Sequence, residues 1–136
     1  MPSRVLKVAL LVREYDEAIA FFVKVVGMVL KEDTDMGNGK RWVRLAPSAT
    51  DEGCEILLAR AVNDEQRAAV GKQFGGRVGM FLGTDSFESD FSRLKEHGVR
   101  LVRGPVSEPY GRVVVFEDLY GNKWDLIGAP AAAPAS

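Results

Sequence analysis

Histidine and cysteine are almost missing from this chain of 136 residues: His97 and Cys54 are the only ones. A single cysteine excludes an internal disulfide, which fits a reducing compartment. A single histidine excludes a centre built on paired imidazoles. His97 precedes Gly98 in the last turn of a helical segment, where a cation suits the helix dipole, so it reads as a surface residue. No Ser–His–Asp arrangement can be assembled around it. Cys54 reads as a buried, inert thiol rather than a nucleophile. An excess of either charge is missing too. The 18 Lys and Arg stand against 19 Asp and Glu, a net charge of −1. Nothing general therefore attracts nucleic acid or an acidic membrane surface. No apolar run approaches the length of a membrane span. Met1-Pro-Ser-Arg4 leads directly into a strand, so a signal peptide is not expected and a cytoplasmic location is.

What is present suits a compact fold. Hydrophobic residues make up 46% of the chain, enough for one domain or for two small modules sharing a core. The end of the chain, residues 129–136, is rich in Ala and Pro and reads as a disordered tail. The most informative stretch runs from Tyr110 to Ile127. Val113, Val114, Val115 and Phe116 are strong strand formers, and Asp118 with Gly121-Asn122 supplies turn chemistry before a second strand. That second strand places Asp125 between Trp124 and Leu126. Side chains alternate along a strand, so Asp125 faces away from both apolar neighbours. A carboxylate there calls for a metal, a substrate or an ion pair.

The chain carries one pattern twice. Val5 to Val12 reads as a strand, Tyr15-Asp16 opens a helix to about Val26, and Gly27 ends it as a left-handed cap. Ala18, Phe21, Phe22, Val25 and Val26 form its apolar stripe. Short strands follow at Met28–Lys31, at Lys40–Ala46 after the hairpin signal Asn38-Gly39, and at Cys54–Ala59. The second half repeats the order: a strand from Arg77 to Thr84, a helix capped by Asp85 with Phe87, Phe91 and Leu94 as its stripe, Gly98 as its end, a strand at Val99–Arg103, then the final hairpin. Asn63 to Gly71 reads as a connecting helix capped by Asn63 or Asp64. Both halves are strand-helix-strand-strand-strand, which implies two similar modules. Their expected bounds are 4–61 and 75–128, with a linker helix over 62–74.

The chain resembles the vicinal oxygen chelate superfamily of glyoxalase I, bleomycin-resistance proteins and extradiol dioxygenases. Val12-Arg-Glu-Tyr-Asp16 with Ala20-Phe-Phe22 and Val26-Gly-Met28 is similar to the family's first strand, helix and cap. Asp85 to Gly98 is similar to its second helix, and Phe116 to Ile127 to its last hairpin. The resemblance implies an α+β fold of two tandem βαβββ modules, with a curved mixed sheet around a concave cavity and helices on the outer face. It also implies a homodimer, and a divalent metal held by the first and last strand of each module. The matching positions here are Lys7, Glu55, Gly79 and Asp125, where relatives usually carry histidine at the first.

That set suits a metal poorly. A protonated lysine has no lone pair and repels a cation, and Gly79 has no side chain, although two carboxylates with waters can hold Mg²⁺ or Mn²⁺. No cofactor is expected. Charge pairing is the replacement: Lys7 or Arg77, which shares the Gly79 face, neutralises Glu55 or Asp125. Such pairs either satisfy half-buried charges or form the polar floor of a ligand site, where Lys7 or Arg77 meets an anionic or carbonyl oxygen and Glu55 or Asp125 a hydroxyl or amine. Around them, Trp42 and Arg44 share one strand face, and Trp42 is a stacking wall or core. Phe81 lines the same face as Gly79, Gly79 and Gly83 leave room for a ligand or mark a bulge, and Tyr110 forms a rim. Three functions follow: a metal-independent small-molecule binding protein, a glyoxalase-related lyase, isomerase, hydrolase or dioxygenase using an atypical metal or Lys7 with Glu55 and Asp125 as acid–base groups, or a homodimer kept for an interaction role. The first is preferred.

Overall fold

A computed structural model describes residues 2–129. The tail expected to be disordered lies, from residue 130 onward, outside the described residues. Two compact units divide the chain, Met1–Gln73 and Phe74–Ser136. The first contains β1 (Lys7–Val12), α1 (Tyr15–Ala20) continuing as a π-helical segment (Phe21–Val26), β2 (Val29–Gly37), β3 (Lys40–Ala46), β4 (Glu55–Arg60) and α2 (Asp64–Ala69). The second contains β5 (Val78–Thr84), α3 (Phe87–Glu96), β6 (Leu101–Glu108), β7 (Gly111–Glu117) and β8 (Lys123–Gly128).

Each unit builds one four-stranded mixed sheet, ordered β1-β4-β3-β2 and β5-β8-β7-β6. In both, the first strand pairs in parallel with the last, and the other pairings are antiparallel. The fold is therefore α+β, two tandem βαβββ modules.

Strand alternation decides which side chains form each core. In the first unit Leu10, Val12, Val43, Leu45 and Leu58 are buried together with Ala18, Phe22 and Val26 of the helix. Those helical residues lie four apart, because the helix widens into π winding after Ala20, leaving Phe21 and Val25 half-buried. In the second unit Met80, Val114, Phe116, Trp124 and Leu126 are buried with Phe87, Phe91 and Leu94 of α3. Phe116 stacks on Trp124 with ring centroids 5.9 Å apart.

The turn residues behave as their chemistry requires. Gly27 and Gly98 end their helices at φ of 88° and 70°. Asn38 and Gly39, at φ of 56° and 79°, give the primed turn of the β2–β3 hairpin. Asn63 caps α2 by accepting from the Gln66 backbone N–H at 2.8 Å, and Gln66 Oε1 accepts in return from Val62 N–H. Asp118, only 6% exposed, does more than turn the chain. Its carboxylate accepts from the backbone N–H groups of Tyr120 and Asn122, from Asn122 Nδ2 and from Trp124 Nε1. The turn thereby fixes the ring that stacks on Phe116.

Several boundaries differ from the sequence reading. Ser86, not Asp85, occupies the N-cap of α3, with Thr84 Oγ1 accepting from Ser86 N–H at 2.9 Å. β2 and β6 run on to Gly37 and Glu108, sustained by antiparallel pairing with β3 and β7. The connecting helix stops at Ala69, because Val70 turns extended and Gly71 adopts φ 79°. Cys54 is exposed rather than buried, since it lies just ahead of β4. Arg77 precedes β5 instead of opening it.

Gly79 leaves no room for a ligand. The β5–β8 register shifts between Val78 and Met80, and a Cβ on Gly79 would fall inside the Phe74 ring. Gly83, by contrast, has open space where its Cβ would be. Gly79→Ala is expected to destabilise the protein by about 1–3 kcal/mol through overpacking, whereas Gly83→Ala stays within about 0.5 kcal/mol. Urea unfolding of the two variants checks this, and equal midpoints would contradict it.

Candidate functional site

The face of the first sheet turned away from α1 carries a row of charges, one from each strand. In spatial order they are Lys7 on β1, Glu55 on β4, Arg44 on β3 and Glu32 on β2. Lys7 and Glu55 are register partners across the parallel pair, and Glu32 and Arg44 across the hairpin. Lys7 Nζ lies 3.8 Å from Glu55 Oε1. Arg44 Nη1 donates to both Glu55 oxygens at 2.8 Å, and Arg44 Nε donates to Glu32 Oε1 at 2.8 Å. Thr34 Oγ1 donates to the other Glu32 oxygen at 2.7 Å. The signs alternate and cancel.

This ladder sets the chemistry of its carboxylates. Hydrogen bonding from Arg44 holds Glu55 below the usual carboxylate range, against the opposing effect of burial. Thr34 and then Arg44 do the same for Glu32. A carboxylate stabilised in its charged form is a weak base.

Next to the ladder along the same face, Leu11, Leu57 and Ala59 form an apolar floor beside Trp42. With Tyr15, Arg60 and the β2–β3 turn they enclose a cavity of about 340 Å³. Trp42 is half-buried and lines it, so it is a wall rather than core. Arg41 is fixed at the edge: Nε and Nη2 clamp Asp33 at 3.0 and 2.6 Å, Nη1 reaches Asp16 at 2.8 Å, and the guanidinium covers the Tyr15 ring.

The second unit repeats the position but not the charges. Asp125 sits on β8 as Glu55 sits on β4, yet its register partners are Phe81 and Val115. Arg44 pairs with the residue two beyond Glu55, and its counterpart two beyond Asp125 is Val113. Burial pushes the Asp125 carboxyl above its ordinary value, with Arg103 offsetting part of the effect. Phe81 beside it is 66% exposed. Arg77, expected as the neutralising cation, lies outside β5 and forms no ion pair with Asp125. Tyr110 lies in the β6–β7 turn and is largely exposed.

Lys7, Glu55 and Arg44 are thus brought together, with Trp42 on the same face, and Asp125 is brought beside Phe81. Arg77, Gly79 and Tyr110 join neither cluster through a side chain. Glu32, Arg60 and Arg41 were missed by sequence reasoning. Residues that would have to hold a divalent metal do not fit one. Both Glu55 oxygens are taken by Arg44, Lys7 has no lone pair to give, Gly79 has no donor, and among the described residues no three His, Cys, Asp or Glu cluster closely enough.

The fold and this face now meet the known proteins. The model of the Glyoxalase/Bleomycin resistance protein/Dioxygenase superfamily matches residues 4–126, and the chain belongs to that superfamily. It is 46% identical to an uncharacterized protein of Shewanella frigidimarina (strain NCIMB 400) over 128 residues, covering 93% of this chain and 94% of that one. Among solved structures it is similar to UcmS2, with a TM-score of 0.78 and 27% identity over 95% of this chain and 100% of that one. It is also similar to TnmS3, an antibiotic binding protein from Streptomyces sp. CB03234, with a TM-score of 0.75 and 30% identity over 94% and 97% of the two chains. Among the described residues no helix is long and apolar enough to cross a membrane.

The two carboxylates should respond oppositely to pH. A lowered pKa in the fold means that Glu55 stabilises above the ordinary Glu range, and that this is lost as pH falls through its folded value. A raised pKa means that ionised Asp125 costs stability at neutral pH, a cost that disappears on acidification. Near neutral pH, Glu55→Gln is expected to lower the melting temperature and Asp125→Asn to raise it, with both differences vanishing below the carboxylate range. A fall in melting temperature for Asp125→Asn at neutral pH would contradict the assignment.

Proposed function

We propose that this protein is a metal-independent small-molecule binding protein whose ligand occupies the cavity beside Trp42. The cavity itself is the observation that carries the reading. At about 340 Å³, it falls at the small end of the range that takes drug-sized molecules, and it has an apolar floor, an aromatic wall and a few fixed polar groups. The likeness to an antibiotic binding protein supports the same class of role.

In this reading Trp42 stacks on the ligand, and Leu11 and Leu57 take its apolar surface. The ladder of Lys7, Glu55, Arg44 and Glu32 lies next to that cavity on the same sheet face and is not part of its lining. Its charges are mutually satisfied, so it is not arranged to transfer protons. In the second unit Asp125 stands beside the exposed Phe81, a separate candidate contact surface. Carrying a carboxylate at a cost to stability, as Asp125 is, fits a group kept for contact with a ligand. A homodimer and a cytoplasmic location belong to the same proposal.

A thermal-shift screen with antibiotics, thiol adducts and divalent metals tests the reading, because a ligand selective for the folded state raises the melting temperature. At least one organic compound is expected to stabilise the protein, undiminished by a chelator. Trp42→Ala is expected to weaken that compound roughly tenfold, with Trp42→Phe retaining most of the affinity. Stabilisation by metals alone would overturn the proposal.

A further inference from the structure

The Trp42 cavity has a feature that composition conceals: all of its charged walls have one sign. Lys40, Arg41 and Arg60 line it, and among the described residues no Asp or Glu does. Arg41 is already neutralised by Asp33 and Asp16. Arg60 is held far less firmly. Its Nε approaches Glu14 at 4.0 Å, the limit of an ion pair, and both side chains are substantially exposed. Its guanidinium lies beside Gly39 in the β2–β3 turn, with Nη1 3.4 Å from where a Cβ there would sit. Lys40, the first residue of β3, is exposed on the same turn.

The charge ladder cannot serve an anion in the same way. Lys7 and Arg44 are matched one for one by Glu55 and Glu32, so the row has no cation to spare. Positive charge available to a ligand lies instead in the lining of the Trp42 cavity, at Arg60 and Lys40. The Trp42 ring and the apolar floor line the same cavity.

Building on the binding role proposed above, we infer that the ligand class is a planar aromatic anion. Its ring packs against Trp42 over Leu11 and Leu57, and its carboxylate or other acidic group is held by Arg60, with Lys40 as a second, more exposed cation. An aromatic amine of the same shape meets two like charges and no carboxylate, so the cavity rejects it. Guanidinium suits the role, since its planar fork matches a carboxylate in a way that a point charge does not.

Isothermal titration with three probes of one shape, naphthoate, naphthol and naphthylmethylamine, tests this. Naphthoate is expected to bind at least about tenfold more tightly than the amine, with naphthol between them. Added salt should weaken naphthoate and leave naphthol unchanged. Arg60→Gln should cost naphthoate about tenfold without affecting naphthol, and Arg60→Lys should restore part of the loss. Arg60 is partly exposed, so these variants are expected to fold, and their melting temperatures provide the control. Amine binding equal to or tighter than naphthoate, or an Arg60→Gln variant that binds naphthoate normally, overturns the anionic class. Naphthoate failing to bind also overturns it, while the broader binding role falls only when the wider screen is silent as well.

Discussion

Arg44 is the interaction on which the first module's working face depends. Its guanidinium stands on β3 and reaches to both neighbouring strands, Glu55 on β4 and Glu32 on β2. Lys7 extends the row to β1, so all four strands of the sheet are linked by alternating charge. A planar fork with five donors can hold two carboxylates at once, which a lysine at the same place would not do. The consequence is chemical as well as mechanical. The carboxylate of Glu55, on the last strand of the module, is held ionised, hydrogen-bonded and occupied.

The second module shows what the same backbone does without that arginine. Asp125 holds the place of Glu55, but Phe81 and Val113 stand where Lys7 and Arg44 would be. One carboxylate is therefore driven down in pKa by its partners and the other up by burial. Duplicated folds allow this divergence because the strand order, helix packing and caps do not depend on what the solvent-side residues are. The cores are fixed by the opposite faces, through Phe22 in one unit and Phe116 on Trp124 in the other.

Much of this was legible in the residues. Period-two alternation identified the strands, Gly27 and Gly98 the helix ends, Asn38-Gly39 the hairpin, and the duplication the βαβββ order. Lys7 beside Glu55 followed from their positions on the first and last strands. Glu32 did not. A two-residue turn at Asn38-Gly39 predicts that Asp33 lies opposite Arg44, but a bulge between Asp35 and Gly37 shifts the register by one and brings Glu32 there instead. A slip of one residue exchanges the faces of a strand, and no signal in the sequence announced it. The filling of Gly79 by Phe74 was hidden for a similar reason: it depends on a bulge and on a ring from outside the strand. The cavity's one-sided charge was hidden because Lys40 and Arg60 are separated in sequence and come to one cavity only in the fold.

On this face Arg44 occupies both oxygens of Glu55, which leaves them closed to a divalent metal. Electron paramagnetic resonance of Mn²⁺ titrated into the purified protein tests it most directly, since bound Mn²⁺ loses the signal of the free aquo ion. The account predicts that the free-ion signal grows in proportion to added Mn²⁺, with no saturable binding, and that Glu55→Gln changes nothing. Stoichiometric loss of the signal in the native protein, restored by Glu55→Gln, would contradict it.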